Sequence, residues 1–292
     1  MAAAHSQHRL GIALVVAAAV AWSTAPFFTR LLPFDSWTIL FWRGLFGGAL
    51  IAAVLVLTQG RAGLRELTGM GKSGWLVASL STLGMVSFIP ALQLTSVSNV
   101  AIIIATGPFV AAAFAWIWLQ EAARWQTMLA SLVALCGVAI IAGNTRASSD
   151  MIGLALASLM TVAIAAMTVV VRQHRETPMV AAAALSNLLG SIVSIPFAHG
   201  IASVTGTDLA ILAMFGFFQV ALGLTLFMLG SRLLPSGQAT LIGTLEAPLM
   251  PFWVWLAFQE VPALRAFVGG ALVMGAVIAD IVSDHRAQKR SG

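Results

Sequence analysis

Apolar runs of about 20 residues follow one another along the whole chain, and the gaps between them are too short to hold a folded domain. A bilayer suits such a pattern, because a helix needs roughly 20 apolar residues to cross its hydrocarbon core. Ten runs can be marked, at about 10–29, 36–58, 73–94, 98–119, 125–143, 151–171, 179–198, 208–230, 236–258 and 263–283. Composition agrees: 60% of the 292 residues are hydrophobic and 9% charged. A soluble domain carries about 25% charged residues. The N-terminal run follows a polar Met1–Arg9 and is too long for a signal-peptide core, so it reads as a retained first span. Cys136 is the only cysteine, which leaves no internal disulfide.

The cations give a topology. With the N-terminus in the cytoplasm and strict alternation, eleven Lys and Arg fall on the cytoplasmic side. Only Arg30, Arg146 and Arg265 fall opposite, and Arg43 lies inside the second run. Such a bias places both termini inside and reads the net charge of +5 as a topology signal, not a nucleic-acid surface.

A phrase repeats on this frame. Trp116, Gln120 and Glu121 close the fourth run; Trp255, Gln259 and Glu260 close the ninth. The copies are an odd number of runs apart, so the second is inverted relative to the first. Inverted repeats are a common plan for secondary transporters. The expected architecture is an all-α membrane protein of ten transmembrane helices in two inverted five-helix repeats, 1–145 and 150–292. Glu121 and Glu260 each open a connection into the next helix, where a carboxylate favours the positive helix N-terminus. Pro262 fits a first-turn position. Gly44 and Gly48 form a GxxxG, a helix-contact signal.

Polar groups at membrane depth are costly unless paired or wet, so they mark candidate sites. Glu246, near the middle of run nine, is the deepest carboxyl. It reads as a cavity group for a cation or proton, or as a buried structural carboxyl bonded to a neighbouring helix. Pro248 and Pro251 each lack an amide donor and free the carbonyls of Thr244 and Ala247. Pro26, Pro90 and Pro108 do the same at Trp22, Val86 and Ile104. These five prolines are expected to kink spans one, three, four and nine around a cavity, or to serve packing alone. Gln219 is the second candidate cavity group; Gln93, Asn99 and Asn187 share with it the alternative of interhelical hydrogen bonding. Arg43 either faces an anionic group or snorkels to the nearby interface. Trp22 and Phe88 lie near prolines, as stacking surfaces or core.

Some chemistry has no residues to carry it. All five histidines lie in tails, loops or span ends, and HExxH, paired cysteines and a Walker loop are missing from the sequence. The chain therefore reads as no enzyme, with no cofactor or metal.

The opening GIALVVAAAVAWSTAPFFTRLLPFDSWTILFWRGLFGGAL, with Trp22-Ser23, Pro26 and Arg43 after Phe41-Trp42, resembles the drug/metabolite transporter superfamily. So do the two Gln-Glu closures. The pattern is similar to its ten-helix EamA-type exporters, and within them to YddG-type exporters of aromatic amino acids and methyl viologen. This resemblance implies a central cavity ringed by spans one, three, four, six, eight and nine, with five and ten peripheral. It implies alternating access in a bacterial inner membrane, exporting amino acids or similar small metabolites. Trp22, Phe88, Met167 and Met250 would then form apolar walls, and Glu246 and Gln219 the polar contacts. Alternatives are a passive channel for small solutes and a proton-coupled exporter of organic cations. The expected partners are the substrate and the lipid bilayer; a homodimer is compatible with the sequence.

Overall fold

A computed structural model describes residues 2–95, 97–142, 151–174, 176–259 and 264–290. Every regular element among them is helical. In the first half, α1 (Ala2–Trp22) and α2 (Ala25–Leu31) form one broken rod and α3 (Ser36–Gln59) the second. The short connector α4 (Arg61–Thr68) leads into α5 (Gly71–Leu94), the third rod. The fourth comprises α6 (Val97–Ala105), α7 (Gly107–Phe114) and a π-helical turn at Ala115–Leu119; α8 (Trp125–Ala142) is the fifth. The second half runs through α9 (Met151–Gln173) and α10 (Met179–Ser194). Its eighth rod is α11 (Gly206–Phe215), a π-helical stretch at Gly216–Leu224 and α12 (Thr225–Ser231). Then come α13 (Ser236–Gly243) with α14 (Glu246–Phe258), and α15 (Leu264–Arg290).

Eight of these rods are long and apolar enough to cross a membrane, against the ten expected. The other two are shorter: Gly107–Leu119, cut from α6 by a break at Thr106, and Trp125–Ile141.

Packing follows a pseudo-two-fold pattern. Taken as whole rods, three pairs map onto themselves when the halves are exchanged: the second on the seventh (α3 on α10), the fourth on the ninth (through α7 and α13), and the fifth on the tenth (α8 on α15). Other rod pairs come as mates: the third on the sixth (α5 on α9) is answered by the eighth on the first (α12 on α1), and the fourth on the fifth (α6 on α8) by the ninth on the tenth (α14 on α15). The α8–α15 seam brings backbones together. A Cβ on Gly137 would lie 2.7 Å from the Gly269 carbonyl oxygen, and one on Gly269 would lie 2.3 Å from that of Gly137. Only glycine permits this approach. Gly44 and Gly48 face α10 in the same way, against the carbonyls of Asn187 and Ala184.

The repeated phrase is a helix stop. Gln120 (φ 54°) and Gln259 (φ 56°) are the only non-glycine residues with positive φ among the described residues. Each side-chain amide donates to the carbonyl three residues back, Ile117 at 3.0 Å and Leu256 at 3.3 Å. A left-handed residue just past a helix turns the chain and satisfies terminal carbonyls. The carboxylate that follows does not serve the next helix, as expected of Glu121. It accepts from Arg172 of α9, Nε at 2.9 Å and Nη2 at 3.0 Å, because a guanidinium fork offers more than a helix end. Glu260 and Pro262 lie outside the described residues.

Candidate functional site

Three rods break at the same local motif. Thr24, Thr106 and Thr244 each end a helix one or two residues before a new one starts. In each, the threonine hydroxyl donates at 2.6 Å to the carbonyl three residues back, that of Ala21, Ile103 or Leu241. The threonine amide donates to that same oxygen, at 3.3, 3.0 and 3.1 Å. Two donors on one carbonyl close the helix, and a proline in the first turn of the next helix needs no donor there. Pro26, Pro108 and Pro248 supply it. Pro90 and Pro251 instead sit inside the continuous helices α5 and α14. The Thr244 carbonyl is not free as expected, since the Ala247 amide donates to it at 3.1 Å.

The breaks surround one cavity of about 170 Å³. Trp22, Phe88, Gln219, Glu246 and Met250 line it, as do the break residues Ala25, Gly107 and Thr244. Pro90, Pro108 and Pro248 are not in its wall; Gly107 beside Pro108 is, as are Phe88, Glu246 and Met250, each two residues from Pro90 or Pro248. The side chains of Pro26, Pro251, Gln93 and Asn99 lie outside the described residues. Met167 is elsewhere: it is fully buried in the main apolar core, because the α9 side of the cavity stops at Ala165. The ring expected from spans one, three, four, six, eight and nine is widened by two more, since Arg43 of α3 and Asn187 of α10 also reach the cavity. Nothing from α8 or α15 lines it.

Arg43 does not snorkel. It is 4% exposed, lines the cavity, and its guanidinium carbon lies 5.3 Å from the centre of the Phe215 ring. Its Nε has no hydrogen-bond partner. Glu246 is the first residue of α14, at the positive end of that helix. Neither Arg43 nor Glu246 makes an ion pair among the described residues. Three more buried polar atoms on this wall lack partners: Ser81 Oγ, Asn187 Oδ1 and Gln219 Oε1. Each such group costs about 1–3 kcal/mol unless something bonds it.

Local structure aims these groups. The π-helical stretch Gly216–Leu224 carries Gln219, Val220 and Leu224 into the wall, as π-bulges often do at functional sites. The Trp22 indole is held by donating from Nε1 to the Gln219 carbonyl at 3.1 Å, and its ring packs 4.8 Å from Phe227.

A second acidic residue, near the end of the tenth run, is buried. Asp280 of α15 is 2% exposed and accepts from Thr127 Oγ1 at 2.7 Å and Gln238 Nε2 at 3.0 Å. One turn on, Asp284 accepts from Arg124. An acid closing an otherwise apolar run, with a threonine and a glutamine at the same level of neighbouring runs, was the available signal.

The EamA-like transporter family model matches the chain twice, over residues 9–143 and 151–279. A crystal structure of another protein superposes with a TM-score of 0.77, covering 95% of this chain and 98% of that one. The two are 17% identical, so the likeness is one of fold. No curated protein matches.

Proposed function

The chain belongs to the EamA-like transporter family, and from that premise we propose that it carries amino acids, aromatic and other apolar ones first, across the membrane. One observation supports this most: a guanidinium and a carboxyl that make no ion pair among the described residues line the same cavity. A buried charge without a partner costs several kcal/mol. An α-amino acid supplies both partners at once, its carboxylate to Arg43 and its ammonium to Glu246. The side chain then has Trp22, Phe88, Phe227 and Met250 against which to pack.

Arg43 separates this reading from its rivals. An organic cation would need Glu246 and be repelled by Arg43. A phosphorylated solute would want more than one cation in the wall.

The remaining assignments complete the proposal. The two repeats, 1–145 and 150–292, cross the membrane five times each with both termini cytoplasmic. They exchange access to the cavity by rocking, export from a bacterial inner membrane, and spend no nucleotide.

Proteoliposomes of the purified protein test this with labelled phenylalanine, leucine and lysine. Saturable flux of the first two above that of empty liposomes is expected. No flux of any amino acid would overturn the proposal.

A further inference from the structure

We infer that a second, weaker site for the same zwitterionic head lies one helical turn from the transport cavity, at the N-terminus of α13. This inference rests on the amino-acid reading above.

A separate cavity of about 260 Å³ opens where α7, the 121–124 connection, α8 and α13 meet. The two cavities share walls. Gly107 and Thr240 line the transport cavity, while Ala112 and Gly237 line this one. Along α7 that is about 7 Å at 1.5 Å per residue. Between them the wall is closed by Ala111 and Ala239, both fully buried.

The chemistry of the wall selects the ligand. Its two charged residues are already neutralised, Glu121 by Arg172 and Arg124 by Asp284. A net ion would therefore find no counter-charge. What remains open is hydrogen-bonding capacity. Ser236 and Gln238 are each 1% exposed, yet Ser236 Oγ and Gln238 Oε1 have no hydrogen-bond partner among the described residues. The eight-residue α13 starts at Ser236 with no side-chain cap. Its first-turn amides have no acceptor within the helix.

Donors and an acceptor thus sit side by side. A carboxylate takes the Ser236 hydroxyl and the first-turn amides, as anions do at helix N-termini. An ammonium donates to Gln238 Oε1, the open acceptor. The apolar remainder, Ala112, Ala115 and Met128, receives a side chain. A solute resting here is a turn away from the transport cavity along the same helix pair, and so is loaded or released through it.

Equilibrium dialysis of labelled phenylalanine against the full chain in detergent tests this. Two equivalents are expected, the second weaker. Ser236→Ala removes a hydroxyl that holds nothing else and should weaken the second event about tenfold. Gly237→Leu should abolish it. A Cβ there makes only ordinary contacts, 3.8 Å to Ala112 Cβ and to Met128 Cε, so the longer side chain fills the cavity without forcing the backbone. In Glu246→Gln the second equivalent should survive. A single equivalent, lost in Glu246→Gln, overturns the second site and leaves the transport reading standing. Two equivalents in Gly237→Leu also overturn it. No binding at all removes both.

Discussion

The indole Nε1 of Trp253 donates to the hydroxyl of Ser23 at 2.8 Å, joining α14 of the second half to the break in the first rod. Ser23 itself donates to the Val20 carbonyl at 2.6 Å, so one hydroxyl spans the break and the opposite half. Trp253→Phe keeps an aromatic ring, smaller than the indole, and loses the bond. It should cost about 1 kcal/mol of stability, read as a lower melting temperature in detergent.

Arg43 and Glu246 should respond differently to truncated ligands. Arg43→Met removes the group assigned to the carboxylate. Phenylalanine and its decarboxylated amine should then bind with similar affinity, whereas the wild type should prefer the amino acid by about tenfold or more. Glu246→Gln should weaken the amino acid and abolish the amine's binding. Titration calorimetry on the two variants checks both.

Gln120 and Gln259 hold a backbone that β-branched residues reach only under strain. Gln120→Val or Gln259→Val should each destabilise by about 1–3 kcal/mol. The same loss at both ends of the molecule would show that the repeated phrase acts as a stop and not as a contact for substrate. Unfolding and flux per folded molecule, measured together, separate those roles.

Asp35 caps α3, accepting from the amides of Trp37 and Thr38 at 3.0 and 2.9 Å and from the Thr38 hydroxyl at 2.6 Å. Burial pushes its carboxyl up, but these hydrogen bonds outweigh burial and hold it below the usual carboxylate range. A carboxyl depressed on folding stabilises above its unfolded value and loses that contribution as pH falls through the folded one. Asp35→Ala should therefore melt lower than wild type at neutral pH, by about 1 kcal/mol. The two should converge below about pH 4. Melting curves across that range check it.

Depth along the chain made part of this legible. Glu246, Gln219, Trp22 and Phe88 all stand far from any gap, and depth is a property that a linear sequence reports. Rotation about a helix axis is not. Arg43 lies a third of the way into its run, where inward and snorkelling rotamers look alike until α10 and α11 pack beside it. Met167 shares α9 with Met160 and Ile164, but only the fold shows that the cavity ends before it. The prolines announced breaks; the threonines that close them were hidden among ordinary polar residues. Asp280 was readable only with its partners Thr127 and Gln238, which lie 153 and 42 residues away.

Each broken rod brings two helix ends to the cavity that Glu246 and Arg43 line. Trp22, Ile104 and Gly243, at or beside the carboxyl ends of α1, α6 and α13, line it. So do Ala25, Gly107 and Glu246, which begin α2, α7 and α14. Carboxyl ends carry partial negative charge and amino ends partial positive. The wall therefore has both polarities built into its backbone before any ionisable side chain is counted. On the proposed reading, such a chamber favours solutes that hold opposite charges a matching distance apart. That backbone polarity belongs to the path of the main chain and remains when Arg43 or Glu246 is replaced, although the discrimination those side chains add is lost.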